Sequence, residues 1–170
     1  MKKGIIALVA IVLLLGSCAS SGGLVKSVGI AASTITVPDE IKEKVIVVLN
    51  GPARDKSAAY ANPGGLDVSI TNNTDSIIKV LWSKSSYLSS DGMSHTILLN
   101  GMKYSDAGKA PPDSIVPAKA FTKAQAFYAE NVYAGSMVFI KPIPTSSTTL
   151  LICVEVESKE YFISVLANFQ

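Results

Sequence analysis

His95 is the one histidine of this chain, with Ser94 beside it and Asp91 four positions before it. These residue types are the parts of a serine hydrolase: a hydroxyl to attack, an imidazole to take its proton, a carboxylate to orient the imidazole. Neighbouring residues on a strand point to opposite faces, so Ser94 and His95 make poor partners for each other. Another serine would have to converge on His95 in space. The sequence therefore favours a strand-edge or turn histidine, and no catalytic residue is assigned. A further Ser and an Asp within hydrogen-bond reach of His95, in a pocket, would reverse that reading.

Other chemistry is equally sparse. One His, two Cys and singly placed acids match neither zinc nor calcium spacing, so no metal and no cofactor are expected. Asp39-Glu40 with Glu43 is the densest acidic group, but Lys42 and Lys44 interleave it, which suits a solvated approach to a strand. Gly64-Gly65 and Gly108-Lys109 lack the framework of a phosphate loop. Two long connections stand out instead, Asn50 to Gly65 and Tyr104 to Ser114. Loops of that length in a small domain are usually either functional or disordered, and under the first reading they supply Arg54, Tyr60 and Lys109 as candidate interaction residues.

The N-terminus is more specific. Met1-Lys2-Lys3 is positive, and Gly4 through Leu15 carries neither charge nor polar side chain. That run is short of the ~20 residues a spanning helix needs but fits the core of a secretory signal. Leu15-Gly16-Ser17-Cys18 follows directly. The order closely resembles the signal and lipobox of bacterial lipoproteins. The resemblance implies diacylglycerol on the sulfur of Cys18, cleavage after Ser17 and an acylated new N-terminus. Two or more acyl chains hold a protein stably on a bilayer, so the body needs no spanning segment. Ala19 is not the aspartate that retains many enterobacterial lipoproteins in the inner membrane, which favours the outer membrane in a two-membrane cell.

Removal of residues 1–17 takes Lys2 and Lys3 from a chain of 15 basic and 13 acidic residues, leaving the mature charge balanced. Nucleic acid is not an expected partner of a neutral body whose basic residues, Arg54 apart, are lysines. With Cys18 committed to lipid, Cys153 has no cysteine to pair with. It lies in Leu150-Leu151-Ile152-Cys153-Val154 and reads as a buried, inert thiol.

Three regions are expected: a signal peptide over 1–17, a lipidated tether over 18–42, and a sandwich domain over 43–170. The tether opens with the flexible composition Ala19-Ser20-Ser21-Gly22-Gly23. Beyond it the pattern is strands and turns. Val45 to Leu49 reads as a buried strand broken by Asn50-Gly51-Pro52. Leu66, Val68 and Ile70 alternate with polar residues, and past Asn72-Asn73-Thr74-Asp75 the alternation resumes at Ile78, Val80 and Trp82, which predicts a hairpin. Asn100-Gly101 predicts a second hairpin, with Met102-Lys103-Tyr104 returning. Residues 118–129 fit a helix or a strand, and a strand is favoured because a lone helix lacks a partner face. Leu150, Ile152, Val154 and Val156 share a face, and Tyr161, Ile163 and Val165 alternate on the returning strand.

Asn72 to Asp75, Trp82 with Ser85, Asp91-Gly92 with Ser94-His95, Lys103-Tyr104 and Ile115-Val116-Pro117 are laid out similarly to small envelope lipoproteins with immunoglobulin-like sandwiches. The resemblance implies an all-β, immunoglobulin-like antiparallel β-sandwich and brings no site, since such proteins mostly have no assigned activity. Trp82 is expected in the core. The functional expectation is a non-catalytic accessory or protein-interaction lipoprotein, with an envelope protein as partner. The alternatives are a glycan- or peptide-binding module using Tyr60, Trp82 or Tyr87, and an envelope hydrolase.

Overall fold

Leu66, Val68 and Ile70 are fully buried while Asp67, Ser69 and Thr71 reach the surface, as period-two alternation requires of a half-buried strand. In the computed structural model, which describes residues 29–53, 64–106, 108–134, 138–140 and 147–170, every regular element longer than a single turn is a strand. In chain order these are β1 (Ile30–Thr36), β2 (Val45–Ala53), β3 (Gly65–Asn72), β4 (Ile78–Val80), β5 (Ser86–Ser89), β6 (Ser94–His95), β7 (Ile97–Leu99), β8 (Ser114–Val116), β9 (Phe121–Tyr128), β10 (Val132–Ala134), β11 (Val138–Ile140), β12 (Ser147–Val156) and β13 (Lys159–Phe169). The larger antiparallel sheet runs β1-β13-β12 and continues along two halves of one interrupted strand, β4 with β8 beside it and β5 with β6 beside it. The break is a 3-10 turn at Trp82–Lys84. The smaller sheet runs β2-β3-β9-β7, and β10 and β11 form a separate ribbon.

The sheets pack face to face through Leu66, Val68 and Ile70 on one side and Val80, Leu150, Ile152 and Val154 on the other. Each such side chain contributes roughly 1.5–3 kcal/mol by leaving water. Trp82 is in this core, as expected, with its indole N–H donating to Ser114 Oγ at 2.9 Å. The 118–129 segment is strand β9, and Phe121 lies on its solvent face. The β12–β13 hairpin also forms as its pattern predicts, turning at Glu157 and Ser158, both in the left-handed region.

Four expectations are corrected. The tether does not extend to residue 42: Ile30 to Thr36 pair with Phe169 to Ser164, and Ile41 is buried under the sandwich. Edge pairing to β13 supplies order that the mostly exposed side chains of β1 do not. The Val45–Leu49 strand is half buried, with Ile46 and Val48 nearly half exposed, and it continues past Gly51-Pro52 to Ala53 by means of a bulge. β3 and β4 are not a hairpin, because they belong to different sheets. The Asn72 carboxamide holds this crossing: its Nδ2 lies 2.7–3.0 Å from the carbonyls of Ser76, Val116 and Pro117, and its Oδ1 accepts from Thr74 N–H and Oγ1–H. Finally, Asn100-Gly101 turns the chain without a returning strand; Tyr104–Asp106 is a 3-10 turn and β7 pairs with β9 instead.

Candidate functional site

The polar cluster around His95 is where hydrolytic chemistry would have to reside. β5 and β6 pair so that Tyr87 faces His95 and Leu88 faces Ser94. Between them Ser89 to Met93 closes a tight loop: Ser89 N–H donates to Met93 O at 3.0 Å and Gly92 N–H to Ser89 O at 2.9 Å. Gly92 holds φ 82°, a conformation glycine adopts without strain. Ser94 does not meet His95. The serine that does is Ser89, whose Oγ lies 3.2 Å from His95 Nε2. On the other side of the ring, Glu130 Oε2 is 3.7 Å from Nδ1. Glu130 is anchored by Thr96, whose N–H and Oγ1–H donate to Oε1 at 3.0 and 3.1 Å.

The arrangement contains Ser, His and two carboxylates, and its closest hydrogen bond runs from Ser89 to Asp91 rather than to His95. Ser89 has one hydroxyl hydrogen, and its closest acceptor is Asp91 Oδ1, a charge-assisted bond favoured over the neutral alternatives. Met93 N–H donates to the same carboxylate oxygen at 3.2 Å. These two donors hold the Asp91 carboxyl below the usual aspartate range. With the Ser89 hydroxyl donating to Asp91, its oxygen is left to accept from His95 Nε2 in the tautomer that carries a proton there, the reverse of what a general base requires. Glu130 stands beyond hydrogen-bond distance of Nδ1, and Ser89 is only 9 % exposed. As arranged, the residues cap a hairpin.

Beneath the hairpin lies an aromatic stack. Tyr87 and Tyr128 rings are 4.3 Å apart and nearly parallel, and His95 leans on Tyr128 at 5.1 Å. Tyr128 hydroxyl bonds Thr148 Oγ1. The Tyr87 hydroxyl is inserted into the β3–β9 ladder: it accepts from Leu66 N–H at 2.9 Å and donates to Ala126 O at 2.7 Å. A residue of the larger sheet thus completes the backbone bonding of the smaller one. Full burial pushes the Tyr87 phenol well above its ordinary pKa, and burial raises Tyr128 as well.

The remaining sequence candidates are scattered. Lys109 is exposed and donates to Asp106 at 2.7 Å, which raises its pKa. Arg54, Tyr60 and Cys18 lie outside the described residues. Trp82 and Tyr87, considered from sequence as possible stacking platforms, are buried and present no face to a ligand. Cys153 is buried, with Ser85 Oγ accepting from its N–H at 3.0 Å, and burial together with the Glu160 carboxylate raises its thiol pKa. A groove of about 380 Å³ lies beside β9, lined by Asp67, Leu99, Asn100, Ser114, Lys123 and Gln125; none of these is among the candidate site residues drawn from the sequence. Asp67 in it is held by Asn50 and Gln125. Among the described residues no group of three or more His, Cys, Asp or Glu is placed to hold a metal ion. No family model, no curated protein and no solved structure matches the chain.

Proposed function

We propose that this protein is an envelope lipoprotein, held to the bilayer by acyl chains on Cys18, whose sandwich has a non-catalytic accessory or protein-interaction role. The observation that carries the reading is the ordered series of positive start, apolar run, small residues and cysteine over Met1 to Cys18. Ala19 supports placement in an outer membrane. The wiring of the His95 cluster supports the absence of catalysis, because its serine proton is committed to Asp91. Strand order supports an immunoglobulin-like assignment: β2-β3-β9-β7 follows the A-B-E-D order, and β13-β12 with the interrupted β4/β5 strand follows G-F-C. Sandwiches of that kind place variable chemistry on their loops, so the connections holding Arg54, Tyr60 and Lys109 are the proposed contacts with an envelope protein.

Cys18→Ser, followed by lipid labelling and membrane fractionation, tests the anchor. The variant is expected to lose its lipid and to be released or left unprocessed, and unchanged labelling and retention would overturn the anchor. Crosslinking in the native envelope with mass spectrometry is expected to return a protein partner. His95→Ala is expected to leave the cellular role intact; loss of that role in a folded, membrane-bound variant would establish catalysis instead.

A further inference from the structure

With Cys18 as the anchor, the topology orients the molecule on its membrane, and that orientation rests on the lipoprotein reading. Gly29, the first described residue, exchanges backbone hydrogen bonds with Gln170 at 3.1 and 3.2 Å, which fixes the end of the sandwich where the chain enters. The same end carries Ser147 opposite Asn168 and the Ser89–Met93 hairpin, since Ser89 pairs with Thr148. At the other end are the Glu157–Ser158 turn and the Asp39–Lys44 segment, joined by Lys44 and Glu157 at 2.7 Å, and the Asn73–Asp75 turn held by Lys119.

Two lengths decide the orientation. Gly29 follows Cys18 by eleven positions (29 − 18), a reach of at most about 40 Å whatever conformation the segment takes. β13 has eleven residues, so the far turn stands roughly 36 Å beyond the point where the chain enters. Bringing the far end to the bilayer would therefore require the connecting segment to be stretched almost fully along the whole molecule. The surface chemistry agrees. The near hairpin exposes Met93, an apolar side chain 60 % accessible that can enter the headgroup layer, and the one carboxylate of that turn, Asp91, is bonded inward to Ser89 and to Met93 N–H, whereas the far end gathers the charged pairs Asp39–Lys42, Glu157–Lys44 and Asp75–Lys119.

We infer that the end bearing Ser90–Met93 rests against the lipid headgroups and that the charged-turn end is presented away from the membrane. Single-cysteine labelling of the full lipidated chain tests this, because native Cys153 is buried. Met93→Cys and Asp75→Cys would each carry a fluorophore in vesicles of phosphatidylethanolamine and phosphatidylglycerol with nitroxide on the headgroups. Emission at 93 is expected to be quenched several-fold more than at 75, and Ser90→Cys to behave like Met93→Cys. Vesicle-bound protein quenched equally at both ends, or more at 75, would overturn the orientation alone. Protein that does not float with the vesicles would overturn the lipid anchor and the orientation with it.

Discussion

Tyr87→Phe deletes one oxygen and leaves every apolar contact in place, so its cost isolates the hydroxyl inserted between Leu66 and Ala126. Both partners are backbone groups inside the sandwich, one donor 2.9 Å and one acceptor 2.7 Å from that oxygen, and no water reaches a fully buried phenol. Each buried polar group left without a partner costs about 1–3 kcal/mol. Partial closure of the ladder would recover some of this, which sets the expected loss at about 2–4 kcal/mol. For a domain with stability of order 5–15 kcal/mol that is a large share. With a urea slope of about 2 kcal/mol/M the unfolding midpoint should fall by about 1–2 M at unchanged slope. Tyr128→Phe is the internal comparison. Its hydroxyl serves one side chain, Thr148, so about 1 kcal/mol is expected. Equal shifts for the two variants, or a Tyr87→Phe shift below roughly 0.3 M, would mean that the ladder closes without the hydroxyl, and the reasoning would fail.

Gly65→Ala should be among the most damaging single substitutions, because a Cβ there would lie 1.7 Å from Ala126 O, which is backbone and cannot swing away. A loss of about 3 kcal/mol or failure to fold is expected by denaturation, and a change within roughly 0.5 kcal/mol would refute the close approach. Cys153 should react slowly with a thiol reagent in the native protein and quickly in denaturant, since it is buried and its thiolate is disfavoured; fast native labelling would place it at the surface. Asp91 and Glu157 both have lowered pKa values, from Ser89 and Met93 donors and from Lys44 respectively. Their contribution to stability should be complete above about pH 5 and decline as pH falls below about 4 through the lowered values. Asp91→Asn should flatten part of that decline, and an unchanged acid limb would count against the hairpin cap.

The elements legible in the sequence are those whose two faces meet different environments. β12 and β13 alternate cleanly because one face meets the other sheet and the other meets solvent. Cys153 breaks the alternation because the outer face is locally covered, with Ser85 at the end of the Trp82–Lys84 turn accepting from its backbone. Edge strands mislead in both directions. β2 carries β-branched residues on its exposed face and reads as fully buried, while β1 buries little and reads as tether. Turn residues announce a reversal without saying which sheet receives the chain, so the Asn72 arch resembles a hairpin; its deciding acceptors, Val116 and Pro117, are more than 40 positions away. Ser89 escapes a sequence reading for a similar reason. Its approach to His95 follows from the register of two short strands, whereas adjacency points to Ser94.

The cysteine inventory and the Tyr87 bridge bear on one another. Cys153 is free and buried, so among the described residues no disulfide joins the two sheets, a link usually worth about 2–5 kcal/mol in a small secreted domain. Tyr87 makes a non-covalent link of comparable size, from β5 in one sheet to the backbones of β3 and β9 in the other. Its stacking on Tyr128, which reaches Thr148 back in the first sheet, closes a circuit across the interface. That circuit sits under the hairpin of Asp91, Ser89 and His95, at the end where the N-terminal segment enters. If the bilayer lies there, the end of the sandwich nearest the anchor is braced across its two sheets. The hydrogen bonds of the Ser–His–carboxylate grouping extend that bracing from the sheet interface into the Ser89–Met93 loop.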